Sequence, residues 1–104
     1  MTRTFAQIGG ARIGFLNATW PFARLSADGD AIALRLLIVK FTFPREKIRR
    51  LSRYRGFMST GLQVEHAVGH YPKFMLFWTF DFDTLKAELE ALGYEVRDSA
   101  AGQR

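Results

Sequence analysis

Cysteine is absent from this chain of 104 residues, which removes disulfides, thiolate metal sites and cysteine nucleophiles together. Such a composition suits a reducing compartment, and the cytoplasm is the expected location. Proline is scarce, with three residues, and so is histidine, with two. Residues 1–7 carry one Arg and no apolar run, and no later stretch is long enough in apolar residues to span a bilayer, so neither a secretory signal nor a transmembrane helix is expected. No Gly-x-Ser-x-Gly elbow occurs, and no pair of carboxylates sits in an apolar setting. The chain is therefore expected not to be an enzyme, and to need no cofactor and no small-molecule substrate. Acidic residues are outnumbered, ten against fifteen Lys and Arg, leaving a formal charge of +5.

Aromatic residues are plentiful instead, with ten Phe, three Tyr and two Trp, side chains that favour pleated sheets. They are densest from Phe74 to Phe80. Phe74, Leu76, Trp78 and Phe80 alternate with Met75 and Phe77, so this strand is apolar at both parities and both of its faces must be covered. It leads into a helix over roughly Phe82 to Leu92, in which Phe82, Leu85, Leu89 and Leu92 form one apolar stripe. Asp81 or Asp83 supplies the cap, and Gly93 the stop.

The remainder reads as strands. Ala11, Ile13 and Phe15 alternate in a first strand that stops near Asn17, preceded by Gly9 and Gly10. Pro21 opens a short second strand, and Asp28-Gly29 turns it into a third. Ile32, Leu34 and Leu36 then share one parity while Phe41 and Phe43 take the other, so Leu37, Ile38 and Val39 must form a tight connection or bulge. After Pro44 comes one helical turn, then a break between Ile48 and Leu51, a fifth strand toward Tyr54, a sixth from Leu62 to Ala67 and the aromatic seventh. Residues 1–7 and 99–104 are expected to be flexible ends. One domain fills the chain, with its core from about residue 10 to 94.

Seven antiparallel strands followed by one helix give an α+β, mainly β, fold: a bent barrel-like sheet closed by its C-terminal helix. The segments Arg12 to Asn17, Trp20 to Phe22, Phe41 to Phe43, Ile48 with Leu51, Val64 to His66, Tyr71-Pro72, and Phe77-Trp78 leading to Leu85, Leu89 and Gly93 together resemble a bacterial pleckstrin-homology-like (PH-like) domain of uncharacterised function. The resemblance implies a scaffold for phosphoinositide head groups, peptides or other proteins. Relatives that hold inositol phosphates use a Lys and Arg pair beside the first inter-strand loop. Here that loop is read as Asn17 to Trp20, with Arg12 and Arg24 as its basic neighbours.

The charge is concentrated in one segment. Lys40, Arg45, Lys47, Arg49, Arg50, Arg53 and Arg55 stand with a single acid, Glu46, between Lys40 and Arg55. These seven form the candidate surface for an anionic ligand, with Tyr54 and Phe57 beside them as stacking rings. Leu37, Ile38 and Val39 are the candidate apolar tip, either buried against the fold or exposed for self-association or membrane contact. Trp20 is expected to pack over the sheet end. His66, on the parity of Leu62 and Val64, is expected as a core imidazole bonded to backbone, with His70 in a turn, so no metal site is expected. Protein recognition or homo-oligomerisation is the leading function. Peripheral attachment to an anionic membrane at the inner face is the alternative, with nucleic acid behind both.

Overall fold

The computed structural model describes residues 3–56 and 59–98. Phe57 and residues 99–104 lie outside the described residues. Eight strands follow in order: β1 (Phe5–Ile13), β2 (Leu16–Ala27), β3 (Ala31–Leu36), β4 (Val39–Pro44), β5 (Ile48–Arg55), β6 (Thr60–His66), β7 (Met75–Thr79) and β8 (Val96–Arg97). A single 3-10 turn, Arg45–Lys47, precedes β5, and the helix α1 (Phe82–Ala91) lies between β7 and β8. They form one curled sheet in the order β4-β3-β2-β1-β7-β6-β5-β8. Pairing is antiparallel except at β8, which runs parallel to β5 through Leu51 with Val96 and Ser52 with Arg97. The fold is α+β and mainly β, with eight strands where the sequence reading counts seven.

The inner face explains the parities. Ile13, Leu25, Ile32, Leu34, Phe43, Leu62, Val64, Met75 and Phe77 are buried along it, one from every second position of each strand. Helix α1 presses Phe82, Leu85 and Leu89 onto the same core. Asp81 caps α1 by accepting from Thr84 N–H at 3.2 Å, and hydrogen bonding with the Thr84 side chain first, and this backbone bond second, holds its carboxyl below the usual aspartate value. A short network ties this helix start to β1. Thr79 Oγ1 donates to Gln7 Oε1 at 2.6 Å and accepts from Asp81 N–H, while Gln7 Nε2 donates to Asp81 O.

Strand β1 holds the two halves together, pairing with β2 along its length and with β7 from Gly10 to Ile13. It begins four residues before the Gly9-Gly10 pair, so Phe5, Ala6 and Gln7 belong to the sheet rather than to a flexible end. It also ends at Ile13. Gly14, at φ 57, and Phe15 make the turn into β2, because the left-handed backbone there favours a residue without Cβ. Phe15 shares the apolar parity of Ala11 and Ile13 but stands exposed at that turn. Asn17 to Trp20 is consequently the start of β2 and not the loop between the first strands.

A further departure sits inside β2. Gly9 pairs with Ala23 and Ala11 with Ala18, so Thr19, Trp20, Pro21 and Phe22 together stand opposite Gly10 alone. The bulge contains the cis Trp20–Pro21 peptide. A side chain at Gly10 would lie 2.9 Å from Ala18 O and 3.1 Å from Trp20 N, so the bulge folds directly over that glycine. Pro21 therefore lies in mid-strand at a bulge, where its missing N–H costs no ladder bond, instead of opening a strand.

His66 is buried, with Nε2 2.8 Å from Pro72 O and Nδ1 accepting from Val68 N–H at 3.1 Å. The accepting Nδ1 leaves Nε2 as the protonated nitrogen, donating to the carbonyl. Tyr94, also buried, donates its Oη to Asp28 O at 2.7 Å. Burial raises the Tyr94 pKa, and nearby Asp28 and Asp30 add to that while Arg45 opposes it. The unfolded chain therefore ionises first as pH rises past the ordinary tyrosine value. Stability supplied by this hydroxyl is complete below about pH 10 and is lost above it. Urea midpoints measured on either side of that pH should fall further for the wild-type chain than for Tyr94→Phe; equal falls would remove Tyr94 from the account.

Candidate interaction surface

The structure brings three of the seven candidate cations together, Arg45, Arg49 and Arg50, which line one hollow with Arg97, while Lys40, Lys47, Arg53 and Arg55 lie outside it. Arg45 folds back on the protein: its guanidinium donates to the carbonyls of Gly29, Leu92 and Gly93 and lies 4.5 Å from the centre of the Tyr94 ring. Arg53 packs over Phe82 at 4.7 Å and pairs with Asp83 and Asp98, and Arg55 shares Asp98. Arg50 faces Glu65 at 3.8 Å across the β5–β6 pair, and Arg49 donates to Glu46 O. Arg53, a member of the candidate surface for an anionic ligand, is largely covered. Lys40 stands apart from these on β4, directly opposite Arg35. Among the described residues no group of three His, Asp or Glu side chains is placed to hold a metal ion, and no helix is long and apolar enough to cross a membrane.

The apolar tip is a two-residue turn. Leu36 pairs with Val39, leaving Leu37 and Ile38 to reverse the chain, with Ile38 95% exposed. Leu37 sits at φ 54, where an L residue costs roughly 1–2 kcal/mol. Gly or Asn is the ordinary choice for such a hairpin, and a polar residue the ordinary choice for such exposure. Leu37 satisfies neither preference. Its N–H donates to Phe22 O at 3.1 Å, which seats the β2 bulge against the tip.

A second apolar feature lies on the outer face, where the sequence reading expects cover. Helix α1 closes the inner side only. Phe74 and Phe80 flank β7 and are exposed, Phe80 at 79%, and Trp20 is 55% exposed rather than packed in the core. Trp78 lies across Gly56 and Gly61, whose added Cβ atoms would meet its ring at 2.6 and 3.1 Å. The Tyr54 ring meets it edge-on at 5.7 Å, and Phe80 meets Trp20 edge-on at 5.8 Å. Between these rings runs a groove of about 450 Å³ lined by Gly10, Asn17, Thr19, Trp20, Ser59, Trp78 and Phe80.

No protein-family model, curated protein or solved structure matches the chain. The functional reading therefore rests on the geometry. The groove escaped sequence reasoning because its two walls, Trp20 and Phe80, are 60 residues apart in the chain. Its available signal was Trp20-Pro21-Phe22, three bulky residues in a strand that tolerates them only if the strand bulges outward.

Sheet edges offer less. Thr42 N–H, on the free side of β4, already donates to Tyr71 Oη at 3.1 Å. Two residues on, facing the same way, Pro44 has no N–H to give. Edge strands protected in this manner resist the addition of another strand.

Proposed function

We propose that this chain is a PH-like, noncatalytic interaction module whose outer-face groove receives an extended segment of a protein partner. The PH-like part of the reading is supported by the antiparallel run β4-β3-β2-β1-β7-β6-β5 and by the single helix packed on its inner face after β7. The groove carries the functional part. Two tryptophans and a phenylalanine converge on it, Trp20 and Phe80 exposed and Trp78 half-buried, and Trp is the residue most enriched among binding hot spots. Asn17, Thr19 and Ser59 lie among the rings and supply hydrogen bonds that fix an extended backbone. β-Augmentation is disfavoured by the blocked edge of β4, so recognition falls to side chains in the groove.

Both tryptophans of the chain line the groove, so intrinsic fluorescence reads its occupancy directly. A displayed library of random peptides selected on the protein should yield binders that shift this emission. Their affinity for Trp20→Ala and Phe80→Ala should fall at least about tenfold, the ordinary loss at a hot-spot aromatic. Selected peptides that bind both variants as well as the wild-type chain would sink the groove reading. Light scattering without peptide should give 11.9 kDa; a doubled mass that Trp20→Ala restores to 11.9 kDa makes the occupant a second copy of this chain.

A further inference from the structure

Strand register creates a row of charge that the sequence keeps apart. Arg24 on β2 stands directly opposite Arg35 on β3, and Arg35 directly opposite Lys40 on β4. All three are exposed on the outer face, alternating with the buried Ala23, Leu25, Leu34, Leu36 and Phe41. None forms an ion pair with a carboxylate among the described residues, in contrast to Arg50, Arg53 and Arg55. Like charges placed opposite one another in a sheet are unfavourable, so three in a row call for an external anion. The adjoining row is small: Ser26 and Ala33 floor a hollow of about 220 Å³ walled by Arg24, Arg35 and Lys40.

Immediately beyond this row in the chain come Phe22, Leu37 and Ile38, exposed and bonded together through Leu37 N–H and Phe22 O. We infer that this end of the sheet docks on an anionic phospholipid bilayer, with Leu37, Ile38 and Phe22 entering the interface and Arg24, Arg35 and Lys40 on the lipid phosphates. The tip projects two to three residues past the row, roughly 7–10 Å at strand rise, which matches the depth to which interfacial apolar groups sink. Arg and Lys side chains are long enough to lie along that slope and keep their charges at the phosphate level. Charge complementarity selects an anionic surface, and the apolar tip selects a bilayer over a nucleic acid, for which Leu37 and Ile38 have no use. This surface shares no lining residue with the aromatic groove, so either reading can fail without the other.

Cosedimentation with vesicles of phosphatidylcholine alone, and of phosphatidylcholine mixed with phosphatidylserine, at low and high salt, tests it. Binding to the mixed vesicles that weakens with salt is expected. The triple change Arg24→Gln, Arg35→Gln, Lys40→Gln should reduce it about a hundredfold, near fivefold for each cation. Ile38→Asp, which leaves all three cations in place, should reduce it at least about tenfold. Lys47→Gln, Arg49→Gln, Arg50→Gln removes the same charge elsewhere and should retain most of the binding, as should the groove variant Phe80→Ala. All six charge positions and Ile38 are exposed, so each variant should fold, with circular dichroism as the check. Absence of binding to the mixed vesicles overturns the inference. So does an equal loss from the two triple variants, which makes the attraction one of net charge. Binding of a single-stranded oligonucleotide that needs Arg24, Arg35 and Lys40, with vesicle binding indifferent to Ile38→Asp, overturns it in favour of nucleic acid.

Discussion

Gly9→Ala is expected to cost at least about 3 kcal/mol and to leave much of the protein unfolded at moderate urea. The added Cβ would overlap the carbonyl oxygen of Trp78 and lie 2.7 Å from Cζ of the Phe77 ring. Neither neighbour is free to retreat. The oxygen belongs to the backbone of β7, and Phe77 is fully buried in the core. Gly9 also sits one residue before the register shift, on the strand that joins β2 to β7, so displacing it strains both halves of the sheet at once. Gly29→Ala provides the control, since a Cβ there meets nothing within 4 Å and should change stability by less than about 0.5 kcal/mol. Urea denaturation of the two variants decides the matter. Equal midpoints would mean that β1 does not pass as close to β7 as the geometry requires.

That close approach explains why the groove exists. Gly9 and Gly10 let β7 and the β2 bulge fold onto opposite sides of β1, and Trp78 and Trp20 are carried with them to the outer face. Glycine pairs are visible in a sequence, but what they make room for is not. The Gly9-Gly10 pair reads equally well as a strand start and as a mid-strand crossing, because the absence of a side chain records only that something is near.

Where period 2 was paired with a turn residue, the sequence was legible. Asp28-Gly29 between Leu25 and Ile32 defined the β2–β3 hairpin, and the parity change between Leu36 and Phe41 located the turn at Leu37 and Ile38. The parity break between Ile48 and Leu51 corresponds to the register shift at Ile48 and Arg50 in β5. Helix α1 was legible from Phe82, Leu85 and Leu89 with Asp81 and Gly93 at its ends. The missed strands are the weakly patterned ones. β8 is two residues long, and the start of β1 alternates only half-buried and exposed positions, too faint a signal to separate from a loose end.

Charge was the least legible property. A run such as Lys40 to Arg55 looks like a single surface because neighbours in sequence are presumed neighbours in space, and β-structure breaks that presumption every few residues. The structure sends its members to the end of α1, to Asp98, to Glu65 and to β4. The row Arg24, Arg35, Lys40 is the converse case, assembled by two hairpins from residues 11 and 5 apart. Neither outcome follows from composition, because both depend on register.

Arg45→Ala should therefore behave as the loss of a clasp between two elements rather than of a solvated charge, although Arg45 lies on the surface. Its guanidinium is the clasp between the β2–β3 turn and the end of α1, donating to Gly29 O on one side and to Leu92 O and Gly93 O on the other. Leu92 and Gly93 carry carbonyls that the last turn of a helix leaves without intrahelical partners, and a cation there also meets the negative end of the helix dipole. The same group covers the Tyr94 ring, and Arg45 N–H donates to Asp30 O at 2.8 Å, so the backbone position is held independently of the side chain. Removing the side chain is expected to cost about 2 kcal/mol, in the range of hydrogen bonds to a charged donor. Arg45→Lys should recover less than half of that, since a single ammonium cannot span carbonyls on two elements as a planar fork does. Lys47→Ala and Arg49→Ala, two and four residues on, should each cost less than about 0.5 kcal/mol, because both are exposed and Arg49 reaches only Glu46 O, three residues back in the chain. Urea midpoints for the four variants give the comparison. A loss at Arg45 no larger than at Lys47 would return Arg45 to the solvated surface; the expected gap of about 1.5 kcal/mol assigns the first arginine of the basic segment to the closure of the fold, and leaves anion binding to cations elsewhere.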